Sequence, residues 1–325
     1  MKKAMADGNL GKGTKWYSTS QAVVLFALAG IWFFLTLATP NFLTFHNITN
    51  LMAQEAVEGV LAVGEVFVII TAGIDMTVGS VVALTNVILS VALTQWGMSM
   101  TASIVMVIII ATLTGVANGA LVFELGIPPF VATLGTMVAE FGLAMILANG
   151  TNIFGLPQSI ANFGSSEFLG IPVLFWMFVV IFLIGQIVLK YTVFGKHVYA
   201  LGSNVEAARL SGVNTRLITY GVYTLSAFLA GVAGVMQTGR LWMGVPSTGA
   251  NYNLDAIAAA AIGGASLFGA EGDVFGAVLG MTLMMTLYNG AVLLGVSSFW
   301  EEVLVGIIIL LTVGADQIRK KRSGS

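Results

Sequence analysis

Apolar runs of about 20 residues follow one another along almost the whole chain, divided by short stretches rich in Gly, Pro, Asn and Thr. A helix rising 1.5 Å per residue needs a run of that length to cross a hydrocarbon layer roughly 30 Å thick. Membrane barrel strands would instead alternate in shorter segments, which this pattern does not do. The runs predict spans over 21–39, 51–71, 78–95, 101–123, 130–148 and 172–189, then 217–238, 254–268, 274–294 and 301–313. Residues 149–170 read as a polar connector and 239–253 as an outer loop. The run 254–268 is short and glycine-interrupted, so a half-length or broken helix is expected there. The fold class predicted is all-α, a polytopic membrane protein of about ten helices, or eight if two short ones are re-entrant. One long polar interruption, 190–216, stands in the middle.

Composition agrees with this pattern: of 325 residues, 57% are hydrophobic and 9% charged, too few polar groups to cover a soluble domain. The basic residues set the orientation. Lys2, Lys3, Lys12 and Lys15 precede the first run, Lys190, Lys196, Arg209 and Arg216 lie in the interruption, and Arg319, Lys320, Lys321 and Arg322 close the chain, leaving Arg240 apart. Positive residues accumulate on the cytoplasmic side, so an even number of spans separates each cluster from the next and both termini are expected inside. Residues 1–19 and 319–325 are then expected to be cytoplasmic tails around one transmembrane domain, 20–318, with 190–216 as its cytoplasmic loop. The first run is longer than a signal-peptide core and lacks a small-residue cleavage site, so it is expected to stay as a span.

The interruption carries a helix signature. Ser203 followed three residues later by Glu206 makes a capping box, which starts a short helix over 204–211 and leaves Gly212 for a left-handed C-terminal cap. Glu206 and Arg209, three apart, pair on its wet side, while Val205, Ala207 and Ala208 offer a small-residue surface suited to a partner's groove. A solvated loop is the plainer alternative.

Acidic and amide side chains at membrane depth are costly and face a bundle interior or water. Glu65, Asp75, Asn86, Asn118, Glu140 and Asn289 are the candidates for a substrate pathway, with helix-to-helix hydrogen bonding as the alternative use. Asp75 stands at a break, TAGIDMTVGS, where it, Thr77 or Ser80 can cap the next helix. Gly115 with Gly119, and Gly276 with Gly280, are small-xxx-small pairs that bring helix backbones close. Without cysteine, disulfides and thiolate chemistry are excluded. His46 and His197 are far apart and give no metal site. No phosphate-binding G-x-x-x-x-G-K-[ST] occurs, so energy for transport must come from an ion gradient or from another polypeptide. No enzyme activity, cofactor or nucleic-acid partner is expected.

The segments GIDMTVGS at 73–80, PPFVATLGTM at 128–137, GKHVYALGSNVEAARLSGVNTR at 195–216 and LDAIAAAAIGGASLFGAEG at 254–272 together resemble the permease subunit of bacterial ATP-binding-cassette importers for monosaccharides. The resemblance spans nearly the whole chain. It implies a fold similar to the cobalamin importer's permease, a second identical or homologous permease subunit, cytoplasmic ATP-binding subunits and a periplasmic sugar-binding protein. The site would be the bacterial inner membrane, with lipid around it. It also implies that the short helix of the interruption docks on the ATPase, through Ser203, Glu206, Ala207, Ala208, Arg209, Leu210 and Gly212. Two positions depart from the family's usual glycines, Ala72 and Ala270; both are small-to-small changes, expected to bear on close backbone packing near the pathway and so on the substrate rather than on the fold. A gradient-driven secondary transporter remains the competing reading, and a scaffold without transport a third; the capped helix has a use with an ATPase and none in a self-sufficient carrier.

Overall fold

The structure is a computed structural model that describes residues 19–297 and, beyond them, residues 299, 300, 302, 303, 305–307, 310, 311, 314 and 317. Four of the lysines, the closing basic cluster and most of both tails lie outside the described residues. So does part of the expected last span, 301–313, whose described positions are helical.

The elements are α1 (Thr19–Ala38), α2 (Phe45–Ile70), α3 (Val78–Thr94), α4 (Met100–Phe123), α5 (Pro129–Leu147), α6 (Gln158–Ser165), β1 (Glu167–Phe168), β2 (Ile171–Pro172), α7 (Val173–Tyr191), α8 (Val193–Ser203), α9 (Val205–Leu210), α10 (Thr215–Leu241), α11 (Tyr252–Ile262) and α12 (Val274–Leu293). Local chemistry explains the boundaries. Thr44, Ser99, Asn214 and Asp273 each accept a backbone N–H from the first turn of the helix that follows, and prolines stand at the entry to α5 and α7. The connector 149–170 holds more order than the sequence predicts: α6 and β1 lie inside it, and β1 pairs antiparallel with β2 just beyond its end. Among the described residues the other elements are helices, with one isolated bridge between Ile153 and Gly244.

Among the described residues, six helices are long and apolar enough to cross a membrane: α1, α4, α5, α7, α10 and α12. Helix α2 at 26 residues is longer than all of these but α10, and it carries Glu55, Glu58 and Glu65, while α3 and α11 are shorter, at 17 and 11 residues. Burial divides the helices into two shells. α2 from Glu55 to Ile70 and nearly all of α3 are buried, whereas most side chains of α1, α4, α5 and α7 are only partly buried or exposed. α10 joins the shells, lying against α2, α3 and α4. A Cβ on Gly115 or Gly119 would run into α10 at Tyr223, Thr224 or Tyr220, and one on Gly276 or Gly280 would strike Gly263 or Ala259. Both glycine pairs therefore work inside the chain, letting α4 meet α10 and α12 meet α11 at backbone contact.

Two interruptions bend the inner shell. After Ile70 the chain turns back along α2, so that Asp75 returns to the level of Glu65. α10 runs to Leu241, three residues into the expected outer loop, and the loop then folds back into the bundle: the Val245 N–H donates to Asn86 and Gly249 lies against Gly79. α11 is the half-length helix expected near 254–268; it stops at Gly263, and the following turn brings the Ala270 N–H onto the Ile70 carbonyl at 2.9 Å.

Candidate functional site

The first candidate region is the end of the bundle that carries residues 190–216. The first residue of the short helix is not where the capping box predicts it. Helix α8 runs on through Ser203, so this serine is the last residue of one helix and not the cap of the next. Asn204 takes that role: its backbone is extended and its Oδ1 accepts the Ala207 N–H at 2.8 Å. An amide caps as well as a hydroxyl, and the one-residue difference follows from α8, which the sequence reading missed. Glu206 accordingly does not reach back to a cap; both its oxygens accept from Arg209, at 2.7 and 3.2 Å. That pair is the one the spacing predicts, and the hydrogen bond and charge of Arg209 hold the Glu206 carboxyl below the usual carboxylate range. Gly212 closes the helix at φ +85°, as expected.

The exposed face of α9 also differs from expectation. Ala208 is turned inward and buried, while Val205, Glu206, Ala207, Arg209 and Leu210 face out. Leu210 is 77% and Val205 56% exposed. The offered surface is thus two apolar side chains framing an ion pair, not a small-residue patch. Behind α9, α8 is fastened to the bundle: the Tyr199 hydroxyl donates to the Gly272 carbonyl at 2.6 Å, and burial with Asp273 nearby pushes that phenol up to about 12, so it stays a donor at neutral pH. Arg216 pairs with Glu124 at 2.6 Å at the same end.

The second region is the α2–α3 interruption. Glu65, Asp75, Asn118 and Glu140 converge there, each at most 3% exposed. Glu65 Oε1 accepts the Asp75 N–H at 3.2 Å, and Asp75 Oδ1 accepts from both the backbone and the hydroxyl of Thr77. Asn118 donates to the same Thr77 hydroxyl at 3.1 Å. Ser80 donates to Glu140 at 2.6 Å, and Thr133 donates to the Ile74 carbonyl at 3.1 Å. Four helices are tied to one stretch of irregular backbone. Glu65 Oε2 and Asn118 Oδ1 are left without a hydrogen bond.

Asn86 and Asn289 lie elsewhere. Asn86 is fully engaged, donating to Thr238 and to the Met243 carbonyl and accepting from Val245, so it clips the dipping loop to α3. Asn289 exchanges two hydrogen bonds with Asn47 of α2, at 2.8 and 3.0 Å. Thr77 and Ser80, which the sequence reading offers only as caps, and Thr133, which it does not single out, do most of the bridging; for Thr77 the available signal is its place two residues after the buried Asp75. A further polar layer escaped it too. Thr282 donates to Glu55, Tyr288 donates to Asp255 at 2.7 Å, and Gln237 donates to Thr248 and Tyr252.

A buried inner shell broken twice, packed among six helices long and apolar enough to cross a membrane, has the build of a membrane permease. The family described as branched-chain amino acid transport system, permease component, matches residues 47–313, and the chain belongs to it. The ribose import permease protein of Bacillus subtilis is 39% identical over 88% of this chain and 89% of its own length. That of Haemophilus influenzae is 37% identical over 87% and 88%, and the xylose transport system permease protein of Escherichia coli 30% identical over 96% and 95%. The resemblance read from the four motifs holds, and these relatives are transport permeases, not enzymes. No solved structure matches the chain.

Proposed function

We propose that this chain is the membrane permease of an ATP-binding-cassette importer that carries a monosaccharide into the cytoplasm by alternating access. The observation that carries the reading is α9: a capped, outward-facing helix with Val205 and Leu210 unsheltered, built onto α8 and through it onto the ends of both interruptions. A carrier driven by an ion gradient has no use for it. Ribose or xylose is the substrate class favoured by the names of the relatives, over the amino acids in the family's description.

In this reading the domain spans 20–318 with tails at 1–19 and 319–325, about ten helices cross the inner membrane with both termini inside, and the fold follows the cobalamin importer's permease. The working unit adds a second permease subunit, two ATP-binding subunits and a periplasmic sugar-binding protein. ATP closes the ATPase pair, which pushes α9 through Glu206, Ala207, Arg209 and Leu210; Asn204, Ala208 and Gly212 keep the helix placed, and Ser203 ends α8 beside it. Glu65, Asp75, Asn118 and Glu140 form a polar wall that is shut in the observed arrangement and opens toward the sugar, while Asn86 and Asn289 fasten helices beside it.

The test is uptake of labelled ribose and xylose into vesicles. Uptake should require the ATP-binding subunits and the binding protein and should persist when proton and sodium gradients are collapsed with ATP maintained. Accumulation by the lone chain under an imposed ion gradient would instead establish the carrier.

A further inference from the structure

Left-handed backbone is open to glycine and strained for any residue with a Cβ. Among the described residues five non-glycines adopt it: Ala72, Asn149, Leu169, Trp242 and Ala270. Asparagine tolerates the conformation, and Leu169 and Trp242 end a hairpin and a helix at the other end of the bundle. The two alanines are different because they meet in one place. Ala72, at φ +61°, ends the turn after α2, and Ala270, at φ +65°, donates its N–H to the last carbonyl of α2, that of Ile70. Gly269 sits between them: a Cβ there would lie 2.9 Å from that of Ala72 and 2.8 Å from the Gly202 carbonyl oxygen.

Gly202 is the third member of the joint. It is the next-to-last residue of α8, two residues before the cap of α9, and a Cβ on it would overlap the Ile70 carbonyl and touch the Ala270 nitrogen. Backbone therefore rests on backbone where α8, the α2–α3 interruption and the turn after α11 come together. Tyr199, one turn earlier in α8, grips the far side of the same turn at Gly272. Displacement of α9 has no soft side chains in which to dissipate before it reaches both interruptions.

We propose that Ala72 and Ala270 are positioning residues of the transport cycle: the joint they form with Gly202 and Gly269 transmits movement of α9 to both broken segments, and their left-handed strain loads the observed conformation so that it is left readily. Strain held at a point where two packings compete shortens the stay in the strained one. The proposal rests on α9 being the ATPase contact.

The test compares the wild type with the double variant Ala72→Gly, Ala270→Gly, each assembled with its ATP-binding subunits and sugar-binding protein in proteoliposomes. Glycine relieves the strain without adding atoms, so the permease should melt several degrees higher, while maximal uptake and sugar-stimulated ATP hydrolysis both fall, by up to about tenfold, with the KM for ATP and the amount of bound ATPase unchanged. A higher melting point with unchanged or faster turnover would overturn the proposal, because the strain would then be present throughout the cycle. An unraised melting point would overturn it as well, by removing the strain. Gly202→Ala, which must wedge the joint apart, should abolish uptake in permease that still inserts; wild-type uptake there would also sink the idea. The premise is read separately: Leu210→Asp should lose ATPase binding, and if it binds normally the docking reading fails whatever the glycine variants do.

Discussion

The α2–α3 interruption and helix α9 are both short polar stretches in an apolar chain, and they handle polarity in opposite ways. Every polar side chain of the first, from Asp75 through Ser80, is enclosed and bonded to neighbouring helices. Those of α9 turn to solvent and bond only within the helix, as Asn204 to Ala207 and Glu206 to Arg209. Enclosed polar groups cannot exchange a lost partner for water, whereas exposed ones can. Changes at the interruption should therefore be felt in the fold, and changes on α9 in what the protein binds.

The largest effect is expected from Thr77→Val. It removes a hydroxyl that donates to Asp75 and accepts from Asn118, leaving two buried groups short of a partner, at a cost of roughly 2–4 kcal/mol. Detergent-purified protein should melt well below wild type or express poorly. A wild-type melting curve would mean that the interruption is not held by this network, and the contrast with α9 would collapse.

Asn86→Ala should come next, at about 2 kcal/mol, since it strands the Val245 N–H and frees the loop that dips beside α3. Proteolysis within 242–251 should quicken in step with the loss of stability. Protection equal to wild type would show that the contact of Gly249 with Gly79 holds the loop by itself.

Much of this architecture was legible in the order of residues. The run boundaries fell within a few residues of the helices wherever an apolar stretch met a cap or a proline, as at Ser99 for α4 and Pro128 for α5. The half-length α11 was legible because paired glycines follow it. What was hidden depended on tertiary contact. Ser203 and Asn204 are both good caps, and only the continuation of α8 through Ser203 decides between them. Asn86 and Glu140 look alike as polar residues in apolar runs, yet one clips a loop and the other joins the interruption, because the dipping loop reaches α3 only in the folded chain. Ala72 and Ala270 read as small departures in packing; their positive φ and their meeting are set by the bend after Ile70 and the turn after α11.

The corrected cap makes a sharper, smaller test. Asn204→Ala should cost about 1 kcal/mol of local helix stability and weaken ATPase binding, while Ser203→Ala should do neither. Calorimetric titration of the ATP-binding subunit against both variants separates them; equal loss in the two would restore the capping box at Ser203 and displace Asn204.

The smallest effect should belong to Glu206→Gln, and its direction with pH follows from the ion pair. Arg209 holds the Glu206 carboxyl below its ordinary range, so whatever the pair contributes is fully present above the unfolded carboxylate pKa and fades only as pH falls through the lowered folded value. Both partners are more than half exposed, at 62% and 64%, so solvent screens most of that contribution. The melting point of Glu206→Gln should match wild type at pH 7 and stay matched on acidification, while affinity for the ATP-binding subunit falls by only about threefold, and less in high salt. A drop of several degrees at pH 7 that vanished in acid would show the exposed pair holding the fold, and would place α9 with the enclosed interruption as a structural element of the bundle.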